Sequence, residues 1–130
     1  VGIHSHGGYH FGGLPSVLNH LVGLGAPEVG LCIDTAWAMQ IGPHQGNPVK
    51  WAQDFAGHIY GVHYKDFVFG RDGMWEDVVV IESNPDLKAF FGTLEASRFN
   101  DTAVIEYEAN IENPMPVLAQ CIETMRMLAG

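Results

Sequence analysis

The chain has 130 residues, is 47% hydrophobic, contains 16 glycines and carries a formal charge of −9 with only six lysines and arginines. That composition supports one globular domain with a real core, and the shortage of cations excludes nucleic acid, whose binding needs several of them to neutralise phosphates. No apolar run approaches the roughly 18 residues of a membrane span, and the start VGIHSH has neither a basic nor an apolar leader. A cytoplasmic protein with no membrane partner is therefore expected. Cys32 and Cys121 fall in separate apolar segments and read as buried free thiols rather than a disulfide. The first residue is not methionine and lies in a strand-like run, so a natural start is not expected there.

Taken in order, VGIHSH is a strand candidate, followed by a helix over about 14–24 with Leu14, Val17, Leu18, Leu21 and Val22 on one side and Gly23 and Gly25 near its end. EVGLCID is the second strand. Asn47-Pro48 then opens a helix on Val49, Ala52 and Ala56, with Trp51 and Phe55 nearby, closed by Gly57. HIYGVHYKD is the third strand, and 67–80, FVFGRDGMWEDVVV, reads as a hairpin or lid inserted after it. Asn84-Pro85 precedes a helix on Leu87, Phe90, Phe91 and Leu94. TAVIEYE is the fourth strand, and Asn113-Pro114 precedes the last helix, on Leu118, Cys121, Ile122 and Met125. Strand followed by helix, repeated with no linker, predicts one α/β domain of parallel strands joined by helical crossovers.

Side chains alternate between the faces of a strand, so parity sorts them. Gly2, His4 and His6 share a face; so do Gly30, Cys32 and Asp34; so do Ile59, Gly61, His63 and Lys65; and so do Thr102, Val104, Glu106 and Glu108. In each strand a small or apolar residue comes first and a titratable group stands at the C-terminal end, where parallel α/β folds build their ligand sites. His4, Asp34, His63 and Glu106 thus form a candidate ligand set for one divalent cation. Two imidazoles with two carboxylates suit manganese first, with cobalt, zinc or iron next and magnesium a poorer fit. Singly, each histidine also reads as a hydrogen-bonded structural residue, and Asp34 before Thr35 also reads as a cap on the next turn.

These segments resemble the sugar-phosphate isomerase and epimerase superfamily, which includes xylose isomerase-like and AP endonuclease family 2 proteins and relatives of inosose dehydratase. GLCIDTAWA resembles that family's strand-six segment ending in Asp-Thr-x-His, GVHYKDF its strand-seven His-x-Lys-Asp, AVIEYE its strand-eight Ile-Glu-Tyr-Glu, and IHSHGG a strand-five His-x-His-x-Gly form. The resemblance implies a (β/α)8 TIM barrel of which this chain covers the last four units, strands 5 to 8, as a single incomplete domain over 1–130. The intervals between His4, Asp34 and His63 are close to the roughly 31 residues of one barrel unit. Strands 1 to 4 would have to come from elsewhere, with a homo-oligomer as one route, and an isolated half is expected to expose apolar sheet edges.

By that resemblance Asp34, His63 and Glu106 fall on metal-ligand positions, and His4 stands where most of the isomerases carry a glutamate ligand that is also an acid/base. Trp37 replaces the histidine of Asp-Thr-x-His, which together with the charge argues against a multi-zinc nuclease. The implied activity is a divalent-metal-dependent isomerase or epimerase acting on a keto-sugar or related polyol through an enediolate. An inosose dehydratase-like lyase and a non-catalytic sugar-binding or structural half-barrel are the alternatives. Glu106 is the candidate base. His6 is a proton relay or a residue orienting a ligand, and Lys65 is a relay, a donor or merely the partner of Asp66. Trp37, Tyr9 and Arg71 are candidate contacts for a sugar or inositol-derived substrate, with His10, Phe11 and Trp75 in loops at the same end.

Overall fold

The computed structural model describes residues 1–7, 15–25, 27–40, 46–84 and 86–129. Along the chain run β1 (Gly2–His4), α1 (Pro15–Gly25), β2 (Gly30–Asp34), α2 (Thr35–Gln40), α3 (Pro48–Asp54), β3 (Ile59–Tyr64), β4 (Phe67–Phe69), β5 (Trp75–Asp77), α4 (Asp86–Ala96), β6 (Thr102–Ile105) and α5 (Met115–Ala129). The Asn-Pro signals do what their chemistry dictates. The Asn47 side chain accepts the Lys50 amide at 2.9 Å, with Pro48 in the first turn of α3, and Asn84 accepts the Asp86 amide at 3.0 Å ahead of α4. Gly57, at φ 84°, makes the left-handed turn that leads from α3 into β3.

β1, β2, β3 and β6 form a parallel sheet in that order, and β4 and β5 form a separate antiparallel ribbon. The order never reverses. Since crossover handedness is nearly invariant, the helices that connect successive strands then fall on the same face, unlike a doubly wound sheet, whose order reverses. Burial agrees: Leu31, Ile33, Val62 and Tyr64 join Leu18, Val22, Trp51, Ala52, Leu87, Phe90 and Leu94 in one core cluster between sheet and helices. Full burial of each large apolar side chain contributes about 1.5–3 kcal/mol. The opposite face carries the small and titratable residues. Among the described residues no helix is long and apolar enough to cross a membrane.

The structure corrects the sequence reading in four places. Ile59 does not share a face with His63; it packs in the helix-side core, because Leu31 aligns with Ile59 but Cys32 with Gly61, leaving Tyr60 as an extra residue in β3. The bulge resets parity after Tyr60. Helix α2 was not expected, its six residues being too few to show a period. In α3 the buried stripe is Pro48, Trp51, Ala52 and Phe55, while Val49 is half-buried and Ala56 exposed. In α5 only Cys121 of the expected stripe is buried, and Ile122 is 43% exposed. Beyond β6 no described element covers that flank. Both cysteines are free. Tyr9, His10, Phe11, Leu14 and Pro85 lie outside the described residues.

Candidate metal centre

The register of the sheet brings four strand ends together. His63 lies level with Asp34, His4 pairs with Cys32 two residues below it, and the Glu106 amide continues the β6 ladder by donating to the Tyr64 carbonyl at 3.0 Å. One ligand atom from each of His4, Asp34, His63 and Glu106 lies within 4.8 Å of all the others. His4 Nε2 stands 3.6 Å from Asp34 Oδ2, His63 Nδ1 stands 2.5 Å from Glu106 Oε2, and the two imidazole centroids are 4.6 Å apart.

Asp34 divides its two oxygens. Oδ1 accepts the Ala36 and Trp37 amides at 3.0 and 2.9 Å, capping α2, so the cap and the ligand readings of this residue hold together geometrically. Oδ2 has no hydrogen bond although the side chain is fully buried. His4 Nε2 and His63 Nδ1 are likewise buried without one. These three atoms face one another and Glu106 Oε2 and make no hydrogen bond elsewhere in the protein, and buried polar atoms turned inward on one point form a set of donors that a divalent cation would satisfy. The residues therefore fit the metal expected from two nitrogens and two oxygens. Asp34 is also the main cause of a raised His4 pKa, with burial opposing it.

Lys65 is fully buried beside the quartet. Its Nζ donates to Glu106 Oε1 at 2.8 Å and to Glu108 Oε2, and lies 3.8 Å from Asp77 Oδ2. It does not pair with Asp66. That carboxylate instead accepts from the Phe67, Ser83 and Asn84 amides and the Ser83 hydroxyl, tying the segment after the ribbon to the end of β3. Burial acts to lower the Lys65 pKa, but the Glu106 and Glu108 carboxylates outweigh it and raise it. Burial likewise pushes the Glu106 carboxyl up, and Lys65 with His63 brings it below the ordinary range. Thr35 closes β2 onto β3, its hydroxyl accepting the Lys65 amide at 3.0 Å and donating to the Lys65 carbonyl at 2.6 Å.

The remaining candidates separate. His6 is exposed and stacks on Trp37 with centroids 4.4 Å apart, 6.0 Å from the His4 ring. Trp37 is only 9% exposed and meets Phe67 and Trp75 edge to face, so its surface is mostly covered by neighbouring rings. Arg71 is exposed in the turn of the ribbon, and Tyr9 lies outside the described residues. Asp77 and Glu108 escaped the sequence reading as partners of Lys65. For Glu108 the available signal was parity, since it follows Glu106 by two residues; for Asp77, on a separate ribbon, there was none.

The model of a family described as xylose isomerase-like TIM barrel matches residues 1–128. The chain belongs to that family. Xylose isomerase-like proteins include sugar isomerases and AP endonucleases, and they often bind divalent metals. Among solved structures, the xylose isomerase domain protein from Planctomyces limnophilus is similar, with a TM-score of 0.71 and 18% identity over 98% of this chain and 44% of that one. The likeness is one of fold, and the chain spans less than half the length of that relative. A search of curated proteins finds no match.

Proposed function

We propose that the chain is the C-terminal half of a xylose isomerase-like barrel, with β1, β2, β3 and β6 as strands 5 to 8 and the segment 67–80 as a lid-like insertion. Its function is then divalent-metal-dependent isomerisation or epimerisation of a keto-sugar or related polyol, with manganese as the first choice of metal. The observation that carries this reading is the convergence of His4, Asp34, His63 and Glu106, three of them with buried atoms that make no hydrogen bond outside the quartet. A cation held by these four residues would supply Lewis-acid stabilisation of negative charge on a substrate oxygen.

The chain's own residues supply the proton chemistry. Glu106, kept ionised by Lys65, takes a proton from the carbon beside the substrate carbonyl, leaving an enediolate. Lys65, charged and fixed among carboxylates, neutralises charge at that end of the site. His6, exposed on the Trp37 face, passes protons to water. Because His4 stands where the resemblance puts a second acidic ligand, a dehydratase is the alternative, in which one base removes the proton and the neighbouring hydroxyl, protonated as it departs, leaves as water. The partner is a sugar or inositol-derived small molecule, and a homo-oligomer is one way to complete the barrel.

The test is metal analysis with isotope exchange. Glu106→Gln is expected to lower manganese affinity by about tenfold or more, at least the effect of losing an outer partner of a ligand. Manganese-dependent exchange of a keto-sugar C–H in D₂O should vanish in the same variant. Unchanged metal stoichiometry and affinity would remove Glu106 from the ligand set.

A further inference from the structure

The ribbon turns an aromatic face toward the quartet. Alternation places Trp75 and Asp77 on one side of β5, and the pairing of Phe67 with Asp77 and Phe69 with Trp75 brings both phenyl rings to that side. Asp77 fixes where this side looks, since its Oδ2 accepts the Glu108 amide at 2.6 Å and lies 3.8 Å from Lys65 Nζ. Trp75 is thereby held at the rim of the site. Its ring meets Trp37 at 5.4 Å and Phe67 at 6.0 Å, yet it remains 40% exposed. Trp37 is thus the buttress, and Trp75 the surface a ligand can reach.

The charge beside that ring is negative. Asp34, Glu106, Glu108 and Asp77 outnumber the charge of Lys65 even with a divalent cation added, and Lys65 is already shared by three of them. Glu76 and Asp72 add to the ribbon's acidity, against Arg71 at its turn. A phosphate dianion entering here meets a net negative charge, whereas the C–H face of a neutral sugar finds the electron-rich face of an indole.

We propose that Trp75 is the sugar-stacking residue of this site and that the carboxylates around it, Asp77 and Glu108 with Glu106, select an unphosphorylated sugar or polyol over the phosphate ester of the same compound. The inference rests on the sugar chemistry proposed above, and its test reads binding separately from turnover. The full chain loaded with manganese is titrated with glucitol and with glucitol 6-phosphate by isothermal calorimetry, which needs no reporter on the residue being changed. Glucitol is expected to bind about tenfold or more tightly than its phosphate. Trp75→Ala should weaken glucitol by about tenfold, with Trp75→Phe restoring most of the loss and manganese content unchanged in both. With a keto-sugar substrate, Trp75→Ala should raise KM and spare kcat.

Equal or tighter binding of the phosphate overturns the proposal, and so does a glucitol affinity that ignores Trp75→Ala. A phosphate preference abolished by Arg71→Ala would make the ribbon a phosphate clamp instead. Glucitol selected through Trp75, with no C–H exchange on any keto-sugar, supports this inference and removes the isomerase reading. C–H exchange with the phosphate ester preferred does the reverse.

Discussion

Lys65 directly follows β3, yet its ammonium group is held by Glu106 and Glu108 beyond β6 and approached by Asp77 of β5. Truncating it leaves like charges facing one another in a largely buried space. Breaking a buried pair costs about 3–5 kcal/mol, and the partial exposure of Glu106 and Glu108 puts Lys65→Met near the low end, about 3 kcal/mol in urea denaturation. The pH dependence carries a sign. The folded chain holds the Glu106 proton more weakly than the unfolded chain, so this contribution is complete above the ordinary value of 4.5 and is lost as pH falls through the lowered folded value. In metal-free protein the wild-type urea midpoint should therefore fall on acidification below that range. Lys65→Met removes the main cause of the lowering and leaves burial, which acts the other way, so its acid-side fall should be smaller. Equal falls in the two proteins would show that Lys65 does not set the Glu106 ionisation.

β2 and β3 show what a close backbone approach demands. A Cβ on Gly30 would collide with the His58 carbonyl oxygen and the Tyr60 ring, next to the bulge that resets β3. Gly30→Ala must move backbone rather than a flexible side-chain tip, and should cost about 1–3 kcal/mol by thermal melting. Manganese affinity should fall with it, because β1, β2 and β3 carry three of the four donors; retained affinity would mean that the strand ends move independently of the bulge. Much at this level was legible in the sequence. The Asn-Pro caps located α3 and α4, and Leu87, Phe90 and Leu94 marked the buried stripe of α4. Helix α2 was not legible, because TAWAMQ is short and the Asp34 that caps it had been read chiefly as a ligand. The bulge was hidden because counting by twos assumes an unbroken ladder. The apolar residues at 59, 62 and 64 contain the clue, a step of three where two was expected.

In the whole molecule, the unreversed strand order leaves β1 and β6 with one unpaired edge each among the described residues. On the β6 side Val104 is 44%, Ile122 43% and Met127 75% exposed. Exposed edges with apolar flanks recruit further strands. The 130-residue chain is therefore expected to associate with rising concentration in sedimentation velocity despite its charge of −9; a stable compact monomer at all concentrations would refute this. The donor quartet was readable because every member lies within a residue of its own strand's C-terminal end, so parity there aligned them. The ribbon's part was not, because the contacts of Asp77 and Trp75 depend on how a hairpin leans over its neighbours. The quartet also binds the fate of the cation to that of the chain. Its donors are scattered from one end of the sequence to the other, so an unfolded polypeptide offers no chelate. Occupancy at a hundredfold excess over Kd would add about 2.7 kcal/mol to the native state by mass action alone. Loading is then a report on folding as much as a step toward chemistry.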